Sequence, residues 1–217
     1  MVKLPAPKAI LFDWDNTLVD TWPTIGKALN ITLPKMGHDP WSEDEIHARV
    51  AGSLRDTFPR IFGDRWEEAR EHYYKAFSDV HLEMLRVLPG AEDVLKRATD
   101  HGIYLGVVSN KTGKYLRAEA QHLGWTGYFA KLVGAQDAVR DKPMLEPVHM
   151  ALENSAITLG RHVWFVGDND IDMECGQAGG CTTVLVHAEQ HAGKHQPHVC
   201  VNDCSDLLQI LDTAFAA

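Results

Sequence analysis

The sequence has no long apolar run: across its 217 residues, none approaches the roughly 18 consecutive apolar residues that a membrane span requires. Residues 1–12 also lack the apolar core of a secretion signal. We therefore expect a cytoplasmic protein with no membrane partner. Basic residues are scarce as well, because 21 Lys and Arg are set against 30 Asp and Glu, for a formal net charge of −9. This balance argues against nucleic acid as a partner.

Cysteine is sparse, with four residues and no Cys-x-x-Cys pair among them. We expect reduced thiols, because nothing else in the sequence indicates secretion. Internal repeats and low-complexity linkers are absent too, so the length corresponds to one or two domains. The apolar content of 45% and the charged content of 24% are typical of a globular protein with a substantial core.

The order of the apolar patterns predicts an α/β protein with an inserted helical segment. Residues 9–12 form a short apolar run that predicts a buried strand. Residues 21–85 contain only helical patterns, one of which starts at a capping box formed by Ser42 and Glu45. From residue 89 onward, apolar strands alternate with helices, which predicts a parallel sheet with helices on both faces.

The predicted elements have the following bounds. The strands cover residues 9–12, 103–108, 128–133, 163–166 and 182–186, with a short last one over 198–201. The helices cover residues 24–36, 42–50, 65–85, 90–101, 114–123, 146–154, 171–178 and 206–215.

Three polar residues lie just past the carboxyl ends of predicted strands: Asp13, Ser109 and Asp168. Parallel sheets bind ligands at the carboxyl ends of their strands, so we expect these residues to meet on one rim of the sheet. The helical segment inserted after the first strand is expected to stand over that rim as a cap.

Two acidic segments, Asp13-Trp14-Asp15 and Asp168-Asn169-Asp170-Ile171-Asp172, would crowd carboxylates at this rim. Two like charges about 4 Å apart repel by on the order of 4 kcal/mol at an effective dielectric constant near 20, so the cluster needs a cation or raised pKa values. All-oxygen ligation suits Mg²⁺, and no set of His and Cys at these positions favours zinc. The alternative is that the aspartates serve a turn and a helix N-terminus.

Two further segments could complete an anion site at the same rim. Ser109 and Asn110 could hold an anionic group of a substrate, although they also suit a plain strand-to-helix turn. Lys142 precedes Pro143 and would supply the positive charge that an anionic substrate needs in an acidic protein. The alternative for Lys142 is a solvated surface lysine.

Together these motifs resemble those of the haloacid dehalogenase superfamily, in particular its phosphoglycolate-phosphatase-like subgroup with a helical cap. The resemblance covers nearly the whole chain and is carried, in order, by Asp13-Trp14-Asp15-Asn16-Thr17-Leu18-Val19-Asp20, Val108-Ser109-Asn110-Lys111, Asp141-Lys142-Pro143 and Gly167-Asp168-Asn169-Asp170-Ile171-Asp172. It implies a Rossmann-like catalytic core over residues 1–20 and 86–217 and an all-helical cap over residues 21–85. It also implies Mg²⁺-dependent hydrolysis of a small phosphorylated metabolite through a phospho-aspartate, with phosphoglycolate as the leading candidate.

The resemblance implies a role for each carboxylate. Asp13 is expected to be the nucleophile and a magnesium ligand. Asp15 is expected to act as the general acid for the leaving oxygen and then as the base for water, with its backbone carbonyl on the metal. Asp168 is expected to bind Mg²⁺, and Asp172 to support the metal through its water shell.

The remaining roles concern the phosphoryl group and the family pattern. Ser109 is expected to hydrogen-bond the transferring phosphoryl group with help from Asn110, while Lys142 orients the nucleophile and neutralises charge. Asn16 stands where the family usually has Gly, and Asn tolerates left-handed backbone conformations, so the turn can survive. Asn169 replaces a common Ser or Thr, which we expect to be a mild change.

The cap is expected to choose the substrate. Residues 50–58 resemble a loop that faces the active site in these phosphatases, and Arg55 within it could bind a substrate carboxylate in a bidentate manner. A helix-surface arginine is the alternative, and Lys27 is a weaker candidate. Apolar cap helices could form a dimer contact, so we leave open a monomer or a homodimer.

A histidine-rich segment is not explained by the resemblance. Four histidines fall at spacings of four, four and three residues, which on a helix would present a metal-binding face: His187, His191, His195 and His198. Gly193 and Pro197 argue against a stable helix, so we expect a solvated loop.

Two functions other than phosphatase stay open. A phosphomutase would share the phospho-aspartate but return the phosphoryl group to a sugar phosphate, a difference that depends on closure and water exclusion. A non-enzymatic phospholigand-binding module would be expected to have lost part of the carboxylate set, which is intact here. Dehalogenases and phosphonate hydrolases of the superfamily lack the counterpart of Asp15, which argues against both.

Overall fold

The computed structural model describes residues 4–50, 54–188 and 190–215, and for residues 54–56 the backbone alone. The chain divides into two compact units, one formed by Met1–Asp20 with Val87–Ala217 and the other by Thr21–Arg86. The first unit is α/β and the second is helical.

The elements of both units follow in chain order, and strands and helices alternate along most of the first unit. In the described residues the strands are β1 (Ala9–Phe12), β2 (Val19–Asp20), β3 (Arg86–Val87), β4 (Tyr104–Thr112), β5 (Lys131–Ala135), β6 (Val163–Gly167), β7 (Thr182–Leu185) and β8 (Val199–Cys200). The α-helices are α1 (Trp22–Lys35), α2 (Glu43–Arg49), α3 (Leu54–Phe62), α4 (Trp66–Met84), α5 (Ala91–Asp100), α6 (Gly113–His122), α7 (Glu146–Ala151), α8 (Asp170–Ala178) and α9 (Cys204–Phe215). Helices α1 to α4 belong to the second unit.

Six strands form one parallel sheet in the order β5-β4-β1-β6-β7-β8, and β2 pairs with β3 separately. The predicted parallel α/β fold is therefore confirmed. Strand β1 lies in the middle, where Phe12 is opposite both Val107 of β4 and Val166 of β6. All four β1 residues are buried, as expected for a strand that is covered on both faces.

Alternation along the strands builds the core. Ala9 and Leu11 are two residues apart, so their side chains share one face of the sheet. They belong to the same buried cluster as Val148 and Ala151 of α7. The helices that follow the strands thus cover apolar faces, which leaves the carboxyl ends of the strands for polar side chains.

In the helical unit the three predicted helices are confirmed, with ends that differ by one or two residues, and one segment is corrected. Helix α2 begins at a capping box in which the Ser42 hydroxyl accepts from the Glu45 backbone N–H. The interpretation of residues 50–58 as a loop is wrong from Leu54 onward, because α3 begins there. Pro59 lies within α3 and made this helix hard to predict, since proline in a helix interior removes a hydrogen bond.

Aromatic rings pack between α3 and α4 and within α4. Phe58 packs edge-on against Tyr73, with 5.4 Å between the ring centroids, and Tyr73 stacks on Phe77 at 5.8 Å.

Among the described residues, no helix combines the length and the apolar character needed to cross a bilayer. The four cysteines are free thiols.

Candidate active site

The acidic rim is built by the ends of β1 and β6. Asp13 directly follows β1, and its backbone N–H donates to the Val166 carbonyl of β6 at 2.8 Å. Asp168 directly follows Gly167, the last residue of β6. A Cβ at Gly167 would overlap the side chain of Asp172, so only glycine allows this carboxylate to lie against the strand end.

Three of the predicted site residues meet here. Asp13, Asp168 and Asp172 each offer a carboxylate oxygen, and the three oxygens lie within 4.8 Å of one another. Burial raises the pKa of Asp168 well above its usual range, and the charges of Asp13 and Asp172 raise it further. Burial likewise raises the pKa of Asp172 to about 6. Crowded oxygens that repel one another in this way fit a hard divalent cation such as Mg²⁺.

Lys142 lies among these carboxylates. Its Nζ is 2.6 Å from Asp13 Oδ1 and 2.6 Å from Asp172 Oδ1, and its side chain is 3% exposed. Burial alone would lower the pKa of Lys142, but the two carboxylates outweigh it and raise the pKa above its ordinary value. Lys142 is therefore a fixed positive charge, and the alternative of a solvated surface lysine is wrong.

Asn110 supports Lys142 from β4. The Asn110 side-chain oxygen accepts from the Lys142 backbone N–H at 3.0 Å, and its Nδ2 donates to the Lys142 carbonyl at 3.2 Å. The peptide bond between Lys142 and Pro143 is cis. The Asn110 side-chain amide thus makes two hydrogen bonds to the main chain of Lys142.

Asp172 also caps a helix. Asn169 is the N-cap of α8, and its side chain accepts from the backbone N–H groups of Ile171 and Asp172. In return, Asp172 Oδ2 accepts from the Asn169 backbone N–H at 3.3 Å. The capping alternative is therefore true of Asp172, but the same carboxylate uses its other oxygen on Lys142.

Asp15 is held by a second buried lysine. Lys111 Nζ lies 2.5 Å from Asp15 Oδ1 and 3.1 Å from Glu119 Oε2. The same Glu119 oxygen accepts from Trp14 Nε1 at 2.7 Å. Burial raises the pKa of Asp15; Lys111 opposes that rise, while Glu119 and Asp13 add to it.

Ser109 does not lie beyond a strand end. Strand β4 continues to Thr112, with a shift in its pairing to β5 between Val108 and Thr112, so Ser109 lies within the strand. Ser109 is 4% exposed, and its Oγ accepts from the Lys111 backbone N–H at 3.2 Å. The predicted strand ended at Val108 because the apolar run ends there. In the structure the strand continues through an irregular pairing with β5 into polar residues, which apolar periodicity does not reveal.

Three other sequence features remain: Arg55, Asn16 and the four histidines. The side chain of Arg55 is outside the described residues. Asn16 has φ +57°, a left-handed conformation that Asn tolerates, so the turn survives the change from the family's Gly. The ring nitrogens of the four histidines contact different groups: His187 the Thr17 carbonyl, His191 and His195 the two oxygens of Asp170, and His198 the Thr183 N–H and hydroxyl.

Glu119 is a site residue that sequence reasoning missed. It is 1% exposed and lies on α6, three or four residues from Leu116 and Tyr115, which are also buried. An acidic residue on the apolar face of a predicted helix was the signal that could have revealed it.

Comparison with known proteins gives a consistent family. The family profile described as haloacid dehalogenase-like hydrolase matches residues 10–186. A phosphoglycolate phosphatase from Aquifex aeolicus is 29% identical over 94% of this chain and 97% of its own, and pyrophosphatase PpaX from Bacillus pumilus is 30% identical over 93% and 95%. A crystal structure from Haemophilus somnus, described as a predicted phosphoglycolate phosphatase, has the same fold with a TM-score of 0.82, at 20% identity over 94% of this chain and 98% of that one.

Proposed function

Since the chain belongs to the haloacid dehalogenase-like hydrolases and is of their phosphoglycolate phosphatase-like kind, we propose that it is a Mg²⁺-dependent phosphomonoesterase that works through a phospho-aspartate on Asp13. One observation carries the proposal: a buried lysine contacts the carboxylates of Asp13 and Asp172 at 2.6 Å each, beside a third carboxylate. Such a set can offset the charge of a phosphate dianion as it approaches a carboxylate nucleophile.

The first chemical step forms a bond between an Asp13 carboxylate oxygen and phosphorus and breaks the bond from phosphorus to the leaving oxygen. Lys142 keeps the carboxylate of Asp13 oriented for that attack. Asp15 gives its proton to the leaving oxygen, a role that its raised pKa supports. Ser109, in the strand beside β1, is proposed to hydrogen-bond the phosphoryl group.

The second step returns the enzyme to its starting state. Asp15 takes a proton from water as the water oxygen bonds to phosphorus, and the acyl-phosphate bond to Asp13 breaks with release of inorganic phosphate. Asp13, Asp168 and Asp172 are the residues proposed to hold Mg²⁺, Asp172 through water, and the backbone carbonyl of Asp15 is proposed as a further ligand. When bound, the ion supplies charge neutralisation at the phosphoryl oxygens.

The substrate is proposed by likeness. Phosphoglycolate is the leading candidate because a 29% identical relative is a phosphoglycolate phosphatase. Pyrophosphate is the second, because a 30% identical relative is a pyrophosphatase. Recognition of a substrate carboxylate by Arg55, a cytoplasmic location and a monomeric or homodimeric state stay predictions.

The experiment is a measurement of inorganic phosphate released from phosphoglycolate, sugar phosphates, nucleoside monophosphates and pyrophosphate, with and without Mg²⁺. Asp13→Asn keeps the side-chain shape and should lower turnover by at least about 1,000-fold, because the nucleophile is gone. Asp100→Asn, at an exposed position where α5 ends, is the matched control and should leave turnover unchanged. Turnover that persists in Asp13→Asn, or in a chelator, would refute the proposal.

A further inference from the structure

A buried network of four residues connects Asp15 to helix α6. Lys111 Nζ contacts Asp15 Oδ1 at 2.5 Å and Glu119 Oε2 at 3.1 Å, and Trp14 Nε1 donates to that same glutamate oxygen at 2.7 Å. We call Trp14, Asp15, Lys111 and Glu119 the anchor network. Because Trp14 precedes Asp15 in the chain, the contacts form a closed ring.

The anchor network places charged side chains away from water, which costs desolvation free energy. The side chains of Lys111 and Glu119 are 5% and 1% exposed, whereas that of Asp15 is 28% exposed. Replacing a buried ion pair by apolar residues of similar volume is often neutral or stabilising. The network therefore does not follow from stability alone, and its one accessible member is the proposed acid.

Rigid packing fixes the network from the other side. Trp14 is fully buried and packs edge-on against Trp125, with 5.9 Å between the ring centroids, and against Phe129 at 6.2 Å. Glu119 lies on the buried face of α6. One Asp15 oxygen is thus held by a lysine whose own position is set by a strand, a helix and an aromatic cluster.

We propose that Lys111 and Glu119 are positioning residues that hold the Asp15 carboxylate where it can pass a proton to the leaving oxygen. The inference rests on the proposed function, in which Asp15 is the general acid. Lys111 binds one carboxylate oxygen of Asp15. Glu119 binds both the Lys111 ammonium group and the Trp14 indole N–H, and so fixes the position of Lys111. A displaced Asp15 would fail to protonate the leaving group but would leave Asp13 and Lys142 in place.

Leaving-group dependence separates this role from a structural one. An alkyl phosphate releases an alkoxide that must be protonated, whereas 4-nitrophenyl phosphate releases a stable phenolate that needs no proton. The parameter to compare is kcat/KM, which reports the steps up to departure of the leaving group. A general loss of folding or binding would lower it equally for both substrates.

The main variant is the double substitution Lys111→Met with Glu119→Gln, which removes both charges together and keeps an acceptor for the Trp14 N–H. We expect kcat/KM for the best alkyl phosphate to fall about 100-fold and that for 4-nitrophenyl phosphate to change less than about 3-fold. Glu119→Gln alone should show the same selectivity to a smaller degree, and it decides the question if the double variant does not fold. Lys131→Met with Glu153→Gln removes an exposed pair of 3.3 Å and is the matched control, for which both substrates should be unaffected.

The outcomes are distinguishable. Equal losses with both substrates, or no loss with the alkyl phosphate, would overturn the positioning role. If the native protein hydrolyses neither phosphate ester, the proposed function itself fails, independently of the variants.

Discussion

Replacing Lys142 by methionine removes the buried cation between two carboxylates while nearly preserving side-chain length. Lys142 Nζ is 2.6 Å from Asp13 Oδ1 and from Asp172 Oδ1, and the three side chains are between 0% and 7% exposed. Because water cannot replace the lost charge, the carboxylates are left uncompensated. Breaking a buried pair in this way costs about 3–5 kcal/mol of unfolding free energy.

That loss corresponds to a fall in Tm of about 6–20 °C for a chain of this size, measured by thermal unfolding without Mg²⁺. The matched control is Lys131→Met, which breaks a pair of 3.3 Å with Glu153 whose side chains are 37% and 61% exposed. Such a surface pair is worth about 0–1 kcal/mol, so the Tm of the control should barely move.

The loss should depend on pH with a defined sign. The pKa of Asp172 is raised to about 6 in the folded protein, above its value in the unfolded chain. A carboxyl with a raised folded pKa favours the folded state at low pH, and this contribution is lost as pH rises through the folded pKa. Without Lys142 the pKa of Asp172 rises further, because the lysine charge lowers it in the native protein. The variant should therefore be close to native stability at about pH 4.5 and lose most near about pH 8. A loss below about 1 kcal/mol, or one that is equal at both pH values, would refute the reasoning.

Three further predictions concern other parts of the α/β unit. Gly167→Ala should destabilise by about 2 kcal/mol, because the added Cβ overlaps the carboxylate that caps α8, whereas Gly127→Ala, with open space around it, should be neutral in the same denaturant titration. Ellman's reagent should modify one thiol of the native protein, that of the half-buried Cys200, and Cys200→Ser should abolish the reaction. The other three cysteines should not react, because burial raises the pKa values of Cys175, Cys181 and Cys204 to between about 11 and about 12. Asp170→Ala should speed hydrogen exchange at the His195 amide about tenfold, since that N–H donates to the Asp170 carboxylate at 2.8 Å; unchanged exchange would mean that other contacts hold the loop.

The sequence predicted part of the candidate site, where an apolar run that forms a strand is followed by an aspartate. The apolar run of β1 followed by Asp13, and that of β6 followed by Asp168, predicted the two strand ends whose carboxylates the structure brings together. The left-handed conformation of Asn16 agrees with the resemblance, because Asn tolerates this conformation where the family usually has Gly. These features depend on periodicity and backbone sterics, which act over a few residues.

Features set by long-range packing could not be predicted. Glu119 and Trp14 are 105 residues apart in the chain, and no local pattern specifies their hydrogen bond. The extension of β4 through Ser109 depends on irregular pairing with β5, and α3, which contains Pro59, packs its Phe58 on Tyr73 of α4. In each case tertiary contacts override the local preference.

The central position of β1 has a consequence for synthesis of the chain. This strand is synthesised before the other five strands of its sheet, and its two hydrogen-bonding neighbours, β4 and β6, follow roughly 100 and roughly 150 residues later. A nascent chain therefore carries four apolar residues with both strand edges unpaired until β4 has been made, and with one edge unpaired until β6 has been made. An unpaired strand edge of this kind is prone to aggregation. The helical unit, by contrast, is continuous in sequence, so its helices are synthesised one after another. We expect productive folding in cells to depend on chaperones that shield the first strand until β6 has been made.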